Sequence, residues 1–218
     1  MAKNEEVFAG GGHDWHNNAQ LMHEMSRIYG ATHRWSIYAY GYKEAADRLV
    51  DGIDNGQGWQ DFLVYPILYL YRHYLEVMIK GQIREAQELL KIERPSTAAE
   101  KKKRRIEAAE GHDIVALWEY LLTLMHQIYP TKDRSVLDQG TRIITAFTAI
   151  DAHGDAFRYP ESIQGNATLS SIREINVRRL RDEVMLVADA LTLIEGTLDY
   201  EHDMNEQERD YLGSISDQ

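Results

Sequence analysis

Residues 62–83 constrain the fold of this chain more than any other stretch. The run is apolar in most helical directions, yet YLYRHYLEVMIK, 69–80, sets Arg72, His73, Glu76 and Lys80 inside it. At about 100° per residue these four fall with Tyr65 and Tyr69 in one arc of about 100°, while Ile67, Leu70, Tyr71, Tyr74, Leu75, Val77, Met78 and Ile79 cover the remaining directions. A helix apolar around most of its circumference is a central one, so the polar stripe is expected to face protein or a cleft. Buried charge is tolerated only when paired and hydrogen-bonded. The spacing supplies partners, Arg72 with Glu76 at i, i+4 and His73 with Glu76 at i, i+3. Two readings stay open on these residues alone. In one, Glu76 orients His73 while Arg72 and Lys80 present positive charge to an anion; in the other, the stripe is a satisfied network that pins loops to the helix.

The rest of the chain repeats the helical period. With only four prolines in 218 residues, it reads as a single all-α domain, 1–218, a bundle of about six helices. Helices are expected over about 19–29, 34–51 and 59–90, the last accommodating Pro66 in its first turns or as a kink. On the second, Trp35, Tyr38, Ala39, Tyr42, Ala46, Leu49 and Val50 line one face. A polar connector, 94–111, follows and can be partly helical. GHD, 111–113, then opens a helix closed by Pro130. Ser135 can cap a fifth helix to about Asp151 with Ile143, Ile144, Phe147 and Ile150 inward, and a last helix from about Asn176 to Asp199 is expected to fray into an acidic tail, about 200–218. Residues 1–15 read as a flexible start.

Charge and composition narrow the functional classes. The net charge is −11, but residues 195–218 hold eight acids and one base, so the body is close to balanced and nucleic acid is not excluded as a partner. Two basic clusters, Lys101 to Arg105 and the group Arg173, Arg178, Arg179 and Arg181, are candidate phosphate contacts or solvated surfaces. Cysteine is absent, which removes disulfides, thiolate nucleophiles and Cys-type zinc sites and fits a cytoplasmic protein. The longest apolar run, FLVYPILYLY, is half of the roughly 20 residues a membrane helix requires, so no membrane association is expected. No phosphate-binding loop of Walker type and no dinucleotide fingerprint occurs, and no cofactor or metal is expected.

Four pieces taken together resemble the HEPN superfamily of prokaryotic helical domains, in particular its defence- and toxin-associated branches. They are the YRHYLEVMIK helix, GHDIVALWEYL after a polar connector, a helix ending in a loop with FRYPES, and a final long helix, over roughly 40–195. The resemblance implies a metal-independent endoribonuclease or RNA-binding effector, working as a homodimer and together with a partner protein of the same operon. The family's signature is an arginine, four to six residues, then histidine. Arg105 to His112 and Arg27 to His33 both satisfy it, about as many matches as 16 arginines and nine histidines produce by chance. The site expected instead is His73 and His112 as the acid–base pair, Glu76 orienting His73, and Arg72 and Arg158 stabilising charge on phosphorus. His112 precedes the apolar helix at a position suited to an anion, and Asp113 beside it can cap that helix. Pro160 holds Tyr159 extended and so directs Arg158.

Two rivals belong to other classes. A non-catalytic HEPN-like bundle would bind a partner protein or a nucleotidyltransferase. An HD-type metal phosphohydrolase needs a His, a His–Asp pair and a later Asp, an order mimicked by His73, His112–Asp113 and Asp151, although here the pair precedes its apolar run. His13, Asp14, His16 and His23 form a further histidine-rich group that reads as a solvated helix start. Convergence of Arg72, His73, His112 and Arg158 on open space would favour RNA chemistry; closure upon one another would favour binding.

Overall fold

A computed structural model describes residues 35–57, 59–130, 133–151, 156–162, 164–169 and 172–216, all within one compact unit, Trp35–Gln218. The expected helix at 19–29, the histidine-rich group and the Arg27–His33 spacing lie outside the described residues. Among the described residues six helices follow in order: α1 (Trp35–Asp54), α2 (Gln60–Leu89), α3 (Ala98–Lys103), α4 (Ile114–Ile128), α5 (Ser135–Ile150) and α6 (Val177–Ser216). The chain is an all-α bundle; among the described residues the only strand-like pairing is an isolated bridge between Glu161 and Ala167. The short α3 inside the connector brings the count to six, and it forms because Thr97 and Glu100 make a reciprocal capping box. No helix among the described residues is long and apolar enough to cross a membrane.

α2 is the axis. Ile67, Leu68, Tyr71, Tyr74, Leu75, Met78, Ile79 and Ile83 are buried along it, and it packs against α1, α4 and α6. Pro66 sits in its second turn, exposed, just before the buried run begins. α1 returns antiparallel against α2 with Ala39, Ala46 and Val50 buried, whereas Tyr38, expected inward, is exposed. The pair closes tightly at Gly81, where a Cβ would meet the Cβ of Trp35 at 2.7 Å, and Arg84 lies 4.2 Å from the Trp35 ring centre.

Buried polar side chains fix the other elements. Gln82 donates to the Leu191 carbonyl of α6 at 2.7 Å, and Gln87 to the Glu107 carbonyl of the connector at 2.6 Å. Trp118 is fully buried with its indole N–H on Thr141 Oγ1 at 2.8 Å, joining α4 to α5. Ile143, Ile144 and Phe147 face the core as expected. Ser135 does not cap α5: it is the first helical residue, and its N–H and hydroxyl both donate to Asp133, whose carboxylate serves the orphan amide.

Asn176 caps α6 by accepting the Arg179 N–H at 3.0 Å. Beyond Asp199 the helix continues to Ser216, because Tyr200 to Leu212 contains no glycine or proline and several good helix formers. Much of the basic group at its start is engaged: Arg181 pairs with Asp51 at 2.8 Å and Arg178 with Asp54, both on α1.

Two helical glycines, one on α1 and one on α2, test this packing with opposite signs. Gly81→Ala should lower stability by about 1–3 kcal/mol through overpacking against Trp35. Gly41→Ala, with nothing within 4 Å of its Cβ, should raise it by about 0.5–1 kcal/mol. Urea midpoints of the two variants check both.

Candidate functional site

One turn of α2 separates each of Arg72, Glu76 and Lys80, so the three stand in a row facing the Gly111–His112–Asp113 turn. Glu76 is the centre. Its Oε2 accepts from Arg72 Nη1 at 3.0 Å, and its Oε1 accepts from Lys80 Nζ at 2.7 Å and lies 2.9 Å from His112 Nδ1. Arg72 also donates through Nη2 to the His112 carbonyl at 2.6 Å, and its Nε lies 3.6 Å from Asp151 Oδ2 at the end of α5. Arg72 and Glu76 are each only 4% exposed. The cluster therefore ties α2 to the start of α4 and the end of α5.

Burial raises the proton affinity of Glu76, but the hydrogen bonds and charges of Lys80 and His112 outweigh it and hold the carboxyl below its ordinary value of 4.5. Ionised, Glu76 only accepts, so His112 Nδ1 carries the hydrogen of their contact. That leaves Nε2 as the ring nitrogen free to face solvent. The His112 side chain is 61% exposed, with its orientation set by a carboxylate that is itself sealed.

The backbone makes this possible. Gly111 adopts φ +98°, a conformation L side chains rarely take, which turns the chain so that the His112 carbonyl meets Arg72. Asp113 caps α4 by accepting the Ala116 N–H at 3.0 Å. The Arg105 guanidinium lies against the bare face of Gly111, where a Cβ would meet its Nη2 at 3.4 Å. Arg105 is exposed and has no ion pair among the described residues, unlike its neighbour Arg104, which pairs with Glu107. The arginine that lies against the GHD turn is thus Arg105. Its spacing to His112 was visible in the sequence, but a connector residue has no defined direction until Gly111 supplies a surface to lie on.

The expected quintet divides. His73 is half-buried and takes no part in the cluster's hydrogen bonds, its ring edge-on to Tyr42 at 4.4 Å and stacked on Tyr69 at 5.5 Å. Burial lowers its proton affinity; Glu76 opposes this, and the charges of Lys80, Arg72 and Arg158 add to it, so the ring takes a proton less readily than a free imidazole. No hydrogen bond or ring contact joins it to His112. Arg158 lies 5.9 Å from the Tyr69 centroid and 5.5 Å from that of Tyr159. With Tyr65, Tyr159 and Arg173 it lines a cleft of about 430 Å³ that Arg72 and His112 do not enter.

The His73, His112–Asp113 and Asp151 order does not gather into a metal centre; among the described residues no three His, Asp or Glu side chains are placed to hold one ion. Comparison with known proteins returned no matching family model, no matching curated protein and no matching solved structure.

Removing the central carboxylate should be costly and non-additive. Glu76→Gln takes the nearest counter-charge from buried Arg72 and half-buried Lys80 and should destabilise by about 3–5 kcal/mol. Arg72→Met should cost less in the Glu76→Gln background than in the wild type, as a double-mutant cycle in urea will show.

The lowered proton affinities give a second check. Unfolding returns His73 to its ordinary 6.5, so the unfolded chain binds a proton that the folded chain refuses. Its contribution to stability is complete above pH 6.5 and is lost as pH falls through the lowered folded value. Glu76 behaves alike in a more acidic window, its contribution complete above 4.5 and lost below. His73→Phe, which keeps a ring between the tyrosines, should flatten the slope of urea midpoint against pH just below 6.5 and leave the decline below 4.5.

Proposed function

We propose that this chain is a HEPN-like, metal-independent endoribonuclease in which Arg105 and His112 act together and Glu76 positions the imidazole. The observation that carries the reading is at the GHD turn: an exposed His112 held through Nδ1 by a buried carboxylate, with the Arg105 guanidinium, which has no ion pair among the described residues, against the adjacent glycine. The six-residue spacing between them fits the arginine–histidine signature of the family the chain resembles.

In this reading His112 Nε2 takes the proton of a ribose 2′-hydroxyl while that oxygen bonds to the adjacent phosphorus. Arg105 balances the charge gathering on the phosphoryl oxygens. The bond to the 5′-oxygen breaks, and that oxygen takes a proton from a second, protonated imidazole supplied across the homodimer that the resemblance implies. The cleft with Tyr65, Arg158, Tyr159 and Arg173 combines exposed rings with cations, the composition that tracks single-stranded nucleic acid by stacking. A cytoplasmic location accords with this substrate.

A second reading, a non-catalytic HEPN-like scaffold for a partner protein, is favoured by the closure of Arg72 and Glu76 upon each other. Incubation of the full chain with total RNA, with and without a chelator, separates them. The expected result is cleavage that survives the chelator, falls about 10²–10⁴-fold in His112→Ala and about 10²–10³-fold in Arg105→Ala, and persists in His73→Ala, each variant keeping its helical circular dichroism. Absence of cleavage selects the scaffold, and cleavage abolished by the chelator selects metal-dependent hydrolysis.

A further inference from the structure

α6 carries a second face that the bundle leaves uncovered. Its buried residues, Val184, Val187, Leu191, Ile194 and Leu198, lie on one side. About 140° around the helix, at steps of four and three residues, stand Leu193, Thr197, Tyr200, Met204 and Gln207, the a/d spacing of a helix-pairing seam. Leu193, Tyr200 and Met204 are 56%, 58% and 45% exposed, and every residue from Asp203 to Leu212 is exposed. A solvent-surrounded helical segment of this length is marginal on its own in water.

The seam begins in a formed depression. Leu193 and Thr197 line a cleft of about 240 Å³ together with Leu122 and Met125 of α4 and Val136 and Leu137 of α5. Arg134, a base on its rim, is paired with Asp138 at 3.7 Å. The apolar surface is therefore continuous from the bundle end out along the free part of α6.

Charge decides what fits it. Glu201 and Glu208 flank the seam on one side and Asp203 and Asp210 on the other, the positions that face a partner's flanks in a helix pair. All four are acidic, so a second copy aligned on this seam would bring carboxylate against carboxylate. We propose that the cleft and the outer seam of α6 form a docking groove for a basic amphipathic helix of another protein, its apolar residues entering at Leu193 and following Tyr200 and Met204, its lysines or arginines paired with the four flanking acids. The groove is separate from the Arg105–His112 surface and does not depend on whether that surface cleaves RNA.

The test is titration of the full chain into two labelled three-heptad peptides, both with leucine at a and d, one with lysine and one with glutamate at e and g, followed by fluorescence anisotropy at low and physiological salt. The lysine peptide should bind at least tenfold more tightly than the glutamate peptide. That binding should weaken with salt and disappear in Leu193→Glu/Met204→Glu, whose positions are exposed enough to preserve the fold. Replacing Glu201, Asp203, Glu208 and Asp210 with lysine should reverse the preference. Equal binding of the two peptides, no binding of the lysine peptide, or binding unaffected by Leu193→Glu/Met204→Glu would overturn the proposal. So would concentration-dependent dimerisation in sedimentation that the same double variant abolishes, since the groove would then serve a second copy.

Discussion

The carboxylate of Glu76 is the group on which this structure turns. A charge this deeply buried is costly unless every lone pair is answered, and here Arg72, Lys80 and His112 answer it from α2 itself and from the start of α4. Because Arg72 simultaneously holds the His112 carbonyl, the GHD turn is gripped at two points, one backbone and one side chain. The same carboxylate thus does two things: it fastens the start of α4 to the axis, and it sets the direction of an exposed imidazole, while Arg72 reaches Asp151 at the end of α5.

Residues that look equivalent in sequence are separated by this arrangement. Arg72 is adjacent to His73 in the chain, yet its guanidinium is enclosed by Glu76 and the His112 carbonyl, while His73 turns into a tyrosine stack. Lys80 completes the charge balance. Arg105, in a connector of no regular pattern, ends against Gly111 because that residue has no side chain to keep it away. The exposed side chains at this turn come from the connector and the turn itself, and the central helix supports them from beneath. At the opposite extreme α6 leaves the bundle with its apolar seam uncovered and its flanks acidic, a surface whose chemistry differs wholly from that around His112.

The helices were largely legible because their signals are local. The apolar period of 62–90, Asp113 before an apolar run and Asn176 before a charged helix each act within one or two turns, and the observed helices begin within a residue or so of where these signals put them. Pairing within the stripe was legible for the same reason: Arg72 and Glu76 are one turn apart. Tyr38 and the length of α6 were not. An aromatic on a helix face is buried only if another element covers it, and a helix runs past its last buried residue when its sequence contains nothing to stop it.

By itself the sequence determined that this protein is helical, that α2 is its axis, and that Arg72 and Glu76 neutralise each other, since these follow from periodicity and from interactions across a single helical turn. Only the tertiary structure decided which imidazole Glu76 orients and which arginine lies against the neighbouring glycine. His73 is three residues from Glu76 and His112 is 36 away, yet the distant ring makes the contact. A buried carboxylate bonds to whatever donor the packing of other elements brings to it, and that packing depends on the left-handed turn at Gly111 and on how α4 lies against α2, neither of which is encoded in local spacing.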